Sequence, residues 1–247
     1  MALLKLIEIE FLKLRRRKFV WMMMFSALIM PFLAYLLFKY AWNTGGDPVQ
    51  FYKWSAFGLT LFIILPVVLG ILSTMLMYNE NQYDMLKQLW IVPVSKMRYF
   101  FSKFFVVLIY SVCFMIVTAV GSVIFSILLG DIAFDWQNVL FLIRKCLEIG
   151  VITAFAMLPI LAIATTQKGY ILPVSITLVY AFLGSIIVSI NMYLHPLSSM
   201  AVIVARNGDI PGLNNTQVIS IPLAFLSIFV WGIVSVLLAN VALARRK

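Results

Sequence analysis

An all-α integral membrane protein with six transmembrane helices is the fold class this sequence predicts, on three observations. Six apolar stretches, at Phe19–Phe38, Ser55–Tyr78, Phe104–Leu129, Cys146–Thr166, Ile171–Leu194 and Ile221–Leu243, each approach the ~20 residues that cross a bilayer as a helix. Of the 247 residues, 64% are hydrophobic and 11% charged, whereas soluble domains hold about 45–50% and about 25%. The charges are also segregated: with the N-terminus in the cytoplasm, that side receives fourteen basic and four acidic residues, and the other side five of each. This is the positive-inside bias, and it predicts both termini in the cytoplasm. The net charge of +10 is thereby accounted for as an orientation signal, and nucleic-acid binding is excluded as its meaning.

The whole chain, 1–247, reads as a single transmembrane domain. It opens on an amphipathic segment, 3–18, where Leu4, Ile7, Phe11 and Leu14 recur at helical spacing among Lys5, Glu8, Lys13 and the run Arg15–Lys18. Such a helix is expected in the cytoplasmic interface with its basic flank near lipid phosphates; the run by itself would also orient the first span. That span is too long for the ~7–15-residue apolar core of a signal peptide and no cleavage pattern follows it, so it is expected to stay in the protein.

The cytoplasmic loop at 79–98 carries the densest pattern. Met85, Leu86, Leu89 and Trp90 share one face of a short helix while Asp84, Lys87 and Gln88 lie mainly away from it. Pro93 ends that helix, because proline donates no backbone hydrogen bond and disfavours helical geometry at Val92. Lys96, Arg98 and Lys103 then lead into the third span. The apolar face of the short helix suits lipid or the groove of another protein.

Later spans hold few polar groups. Ser111, Thr118, Ser122 and Ser126 fall near one side of span three, Ser185 and Ser189 on one face of span five, and Ser227 and Ser235 in span six; hydroxyls so spaced cement helix contacts or line a pathway. Pro31, Pro66, Pro159, Pro173 and Pro222 allow kinks. Glu148, at the edge of span four, is expected to pair with Arg144 one turn away. In the outer segment 195–220, His195-Pro196, Asn207-Gly208-Asp209 and Pro211-Gly212 punctuate the chain, but Pro196–Ala205 is apolar. As a helix it would reach about half-way across a bilayer, which predicts a re-entrant or interfacial helix dipping back from outside. His195, beside Pro196, is expected at the outer boundary.

Cys113 and Cys146 both fall within or at the edge of spans and read as ordinary buried thiols. The chain has no Gly-x-x-x-x-Gly-Lys-Ser/Thr loop to cradle nucleotide phosphates and no His-Glu-x-x-His. No catalytic residue, metal site or cofactor of its own is therefore expected. An ion-driven carrier would bury carboxylates or histidines in mid-membrane or show paired broken helices, and the sequence predicts neither.

The order Glu80, the Leu86–Leu89 helix, Pro93-Val94-Ser95-Lys96 and Lys103 resembles the first intracellular loop of ABC-2-type transporter permeases, although Asp84-Met85 stands where many relatives have Gly-Thr. That resemblance implies a coupling helix seated on a separate ATPase subunit, with Glu80, Leu86, Leu89, Trp90 and Pro93 as coupling residues and Lys96 and Arg98 holding the loop at anionic headgroups. An outer gate would then form around Pro196, Asn207 and Pro211. The start Ile7–Arg16 and the run Lys87–Lys96 resemble permeases of lantibiotic-immunity transporters, and bacitracin-resistance permeases are also similar. The implied protein is a permease subunit in a bacterial plasma membrane, pairing with a copy of itself or a paralogue and with ABC ATPase subunits that hold ATP and Mg. It would expel an amphiphilic antimicrobial peptide, such as a lantibiotic, drawn from the membrane lipid. Another drug or lipid as cargo, or a non-transporting sensor or scaffold, stays open at this point.

Overall fold

The computed structural model describes residues 3–40, 48–82, 95–130, 134–167, 169–206, 208, 210 and 219–245, without the side chains of 79–82 and 245. Among these residues the chain forms eight helices and no strand: α1 (Leu3–Arg15), α2 (Lys18–Tyr40), α3 (Pro48–Tyr78, running on to Gln82), α4 (Lys96–Leu129), α5 (Trp136–Thr166), α6 (Ile171–Ile190), α7 (Pro196–Ala205) and α8 (Ile221–Arg245). Six of them, α2 to α6 and α8, are long and apolar enough to cross a membrane, the number that the six apolar stretches predict.

Helix starts differ from the apolar boundaries because caps, and not hydropathy, decide where a helix begins. Ser95 Oγ accepts the Arg98 N–H at 3.3 Å and starts α4 eight residues before Phe104. Asp135 accepts the Gln137 N–H at 3.1 Å and starts α5 ten residues before Cys146. Gly130, at φ 78°, ends α4 in the left-handed conformation that glycine adopts without penalty. α6 stops at Ile190, short of Leu194, where Asn191 turns extended and its side chain accepts the Tyr193 N–H at 3.0 Å.

Two of the spans are irregular. α3 passes through π-helical turns at Lys53–Phe57 and Thr60–Ile64 on either side of Gly58 (φ −66°, ψ −114°). α5 breaks at Met157 (φ −90°, ψ 0°), two residues before Pro159, and the carbonyl of Ala156 accepts the Tyr180 hydroxyl of α6 at 2.6 Å. A neighbouring side chain thus satisfies the backbone group that a proline break releases inside a membrane.

α4 runs alongside α1, α2, α3 and α5. Its approach to α5 depends on Gly150: a side-chain carbon there would lie 3.1 Å from Val112 Cα, and Ser111 Oγ donates to the Gly150 carbonyl at 2.7 Å. Ser111, Ser122 and Ser126 of span three bond to neighbouring helices. Ser55 Oγ donates to Ser122 Oγ at 2.9 Å, and Tyr52 and Ser126 share a 3.2 Å hydrogen bond. α3 and α5 are 67% buried over their most apolar windows, whereas α6 and α8 are 28% and 22% buried. Phe182, Ile186, Phe229 and Leu237 all face outward. In water that surface would be an aggregation hazard; in lipid it is an ordinary outer face.

Leu4 is 77% exposed, and the face α1 turns inward is Leu6, Glu10 and Leu14, a stripe at four-residue spacing. Three expectations are corrected. Cys113 is exposed while Cys146 is buried, since an all-apolar helix does not announce which face it turns to lipid. His195 is buried at 8% exposure, enclosed by the turn that returns the chain into α7. Glu148 pairs with Arg206 and Lys145 in place of Arg144, because tertiary approach brings α5 to the end of α7.

Candidate functional site

At the bundle end that holds α1 and the last turns of α8, the chain leaves α3 and re-enters at α4. Residues 83–94 and the side chains of 79–82 lie outside the described residues, and with them Glu80, Leu86, Leu89, Trp90 and Pro93. What is described is the seat from which that segment departs. Lys96, Tyr99 and Lys103 recur at positions i, i+3 and i+7 of α4, which places them along one stripe of the helix. Lys96 Nζ donates to the Leu243 carbonyl of α8 at 2.9 Å. Tyr99 donates to Met77 Sδ of α3 at 3.7 Å. Lys103 Nζ lies 2.5 Å from Glu10 Oε2 of α1, with no exposed side-chain surface. Arg98 is exposed.

One stripe of α4 is therefore tied to three other helices within two turns. Glu10 accepts from Lys13 as well, at 2.9 Å, so both carboxylate oxygens are engaged. Lys103 Nζ also sits 5.1 Å from the centroid of the Tyr99 ring. A buried ion pair costs much desolvation, but once present it is expensive to break. Displacement of the start of α4 must then carry α1 with it, or leave a buried charge without its counter-charge.

At the opposite end, α7 is clamped at both termini, and all ten of its residues are buried. His195 Nδ1 accepts the Leu197 N–H at 3.2 Å, as an N-cap does, with Pro196 at the first helical position. The His195 ring lies 4.3 Å, centroid to centroid, from Tyr180. Burial pushes the imidazole pKa down to about 4, so the ring stays neutral at pH 7 and keeps Nδ1 as an acceptor. At the other terminus, Lys145 Nζ donates to the Val204 carbonyl at 3.4 Å and Arg206 to the Ile203 carbonyl at 3.1 Å. Cations there meet the helix carbonyls that lack intrahelical partners and favour the negative end of the dipole. Glu148 holds both cations, 3.5 Å from Lys145 Nζ and forked with the Arg206 guanidinium. Lys53 of α3 donates to the Gly208 carbonyl at 3.1 Å. Pro196 thus sits in a fixed cap, and Asn207 and Pro211 lie outside the described residues.

Tyr180 joins the two themes. Its hydroxyl holds the broken turn of α5 and its ring backs the first residue before α7. Sequence reasoning missed Tyr180, and missed Glu10 and Lys103 as partners. The available signal was Glu10 itself, a carboxylate four residues from both Leu6 and Leu14. Among the described residues no group of three or more His, Cys, Asp or Glu is placed to hold a metal ion.

Residues 6–184 match the family model described as ABC-2 family transporter protein, a stretch that runs from α1 to the middle of α6. No curated protein matches the chain.

Proposed function

The chain belongs to the ABC-2 family of transporter proteins, and from that premise we propose that this permease works in export, removing an antimicrobial peptide such as a lantibiotic from the membrane around it. Membership makes it the multi-pass membrane subunit of an ABC transporter that partners with ABC ATPase subunits. The direction of transport, the cargo, the plasma-membrane location and the pairing with a second permease are our reading.

The observation that carries the mechanism is the four-helix seat around the start of α4. ATP-driven closure of the partner ATPases presses on the segment 79–94, with Leu86, Leu89 and Trp90 as the contact. The stripe of Lys96, Tyr99 and Lys103 passes that movement to α8, α3 and α1 together. α5, packed along α4, carries it to the Tyr180–His195 contact and so to α7, the outer gate. Both termini are cytoplasmic in this reading, as the fourteen-to-five division of basic residues favours. The seat works without an intramembrane ion site, because its energy arrives through a protein contact.

The test is the L89D/W90D double variant beside the natural chain. Affinity recovery from the native host is expected to bring down an ATPase with the natural chain and not with the variant, and the variant is expected to lose export while still inserting in the membrane. Undiminished export by the variant would refute the coupling assignment. Resistance assays against a panel of lantibiotics, bacitracin and other membrane-active drugs identify the cargo class, and protection against none of the peptides would refute the peptide reading.

A further inference from the structure

A groove of about 360 Å³ opens between α1, α2 and α4, walled by Phe11, Leu14, Val20, Met24 and Cys113 with Glu8 and Arg15 on its lining. Its volume falls within the roughly 300–1,000 Å³ of small-molecule pockets, and its walls are apolar as theirs are. Trp21 closes one edge, its indole N–H donating to the Arg15 carbonyl at 3.4 Å. The neighbouring side chains Leu12, Trp21, Met22 and Phe25 are exposed on the outer surface, so the groove gives onto the surface that meets lipid.

Two further features sit where α1 hands over to α2. Arg15, Arg16, Arg17 and Lys18 are all exposed. α2 begins after Arg17 with no side-chain cap on its first N–H groups, and an uncapped helix N-terminus favours an anion. Glu8, the carboxylate on the lining, lies seven residues from Arg15 along α1, or about 10 Å at helical rise. A ligand that satisfies all three features is an anion joined to an apolar chain. A cationic peptide would meet four like charges here.

We propose that this groove binds an acyl chain of an anionic phospholipid whose phosphate rests against Arg15–Lys18 and the open N-terminus of α2. The lipid fills the gap between α1 and the bundle, and so holds α1 at a second point besides its Glu10–Lys103 tie. The site is independent of the export reading: it concerns how α1 is held, whatever the cargo.

The chain carries its own reporter, since Cys113 lines the groove and is exposed while Cys146 is buried. The detergent-purified protein is alkylated with N-ethylmaleimide during titration with phosphatidylglycerol or with phosphatidylcholine of the same acyl chains, and single modification is followed by intact mass. Phosphatidylglycerol is expected to slow alkylation at Cys113 at least tenfold, and phosphatidylcholine or soluble glycerol phosphate to leave it within twofold. In the R16Q/R17Q/K18Q variant the lipid-free rate is expected to persist and the protection to vanish. A second variant, M24W, fills the groove with the basic run intact, and native mass spectrometry is expected to show it retaining less phosphatidylglycerol than the natural chain. Equal protection by the two lipids, protection by glycerol phosphate alone, protection by a cationic antimicrobial peptide in place of the lipid, or undiminished lipid retention in M24W would overturn the proposal.

Discussion

Replacing Glu10 by Gln removes the carboxylate 2.5 Å from the buried Lys103 ammonium while keeping nearly the same volume. Removing one member of a buried ion pair typically costs about 3–5 kcal/mol, because the remaining charge is left in a poorly solvating site. The neighbouring Lys13 contact adds little, since its side chain is 41% exposed and exposed pairs are worth at most about 1 kcal/mol. E10Q is therefore expected to lower unfolding stability in detergent by about 3 kcal/mol. Lys103→Met in the same background removes the stranded charge as well, and should restore most of that loss. A double-mutant cycle then isolates the pair term. Transport separates packing from transmission: in proteoliposomes with the partner ATPase, E10Q/K103M is expected to stay poorly active although its stability has returned. A loss below about 1 kcal/mol in E10Q would refute the buried-pair argument. Full transport by the stable double variant would refute the idea that the tie carries motion.

His195 gives a pH signature. Its pKa is about 4 in the fold against an ordinary 6.5, so between those values the unfolded chain binds the proton first, and stability is complete above pH 6.5 and falls as the pH drops toward 4. The expected loss is about 2 kcal/mol after discounting for solvent screening; H195N, which keeps a capping acceptor but does not titrate, should flatten the profile in urea or heat unfolding, and an unchanged slope would refute the assignment. Gly150→Ala tests the α4–α5 approach, because the added carbon would stand 3.1 Å from Val112 Cα and 3.3 Å from the Ser111 carbonyl oxygen. Helix propensity alone favours Ala by about 0.5–1 kcal/mol and overpacking opposes it by about 1–3 kcal/mol, so thermal unfolding should show a net loss, and a gain would contradict the close approach.

Hydropathy made the six spans legible, since a bilayer demands long apolar runs and nothing else in a small chain produces them. It could not show where α4 and α5 begin, because Ser95 and Asp135 set those starts in polar sequence ahead of the apolar run. Ser111, Ser122 and Ser126 were legible as one side of a helix, and their spacing matches their shared burial. The ties at both ends were not legible. Glu10 is ninety-three positions from Lys103, and Glu148 is fifty-eight from Arg206; side-chain pairing at such separation follows from how helices pack, which periodicity along one helix does not contain. Cys113 escaped for a related reason, since a span apolar all round has no pattern to mark its lipid-facing side.

The ten-residue length of α7 has a consequence for how the protein is made. A helix of that length cannot cross a bilayer by itself, and its neighbours in the finished bundle are α3, α5, α6 and α8. α8 follows all of these in the chain, so the niche of α7 is complete only when α8 has joined the bundle. A chain cut before Ile221 and released from the ribosome should then leave α7 open to protease, and the chain that carries α8 should close it. At that one point the fold of this permease waits on α8.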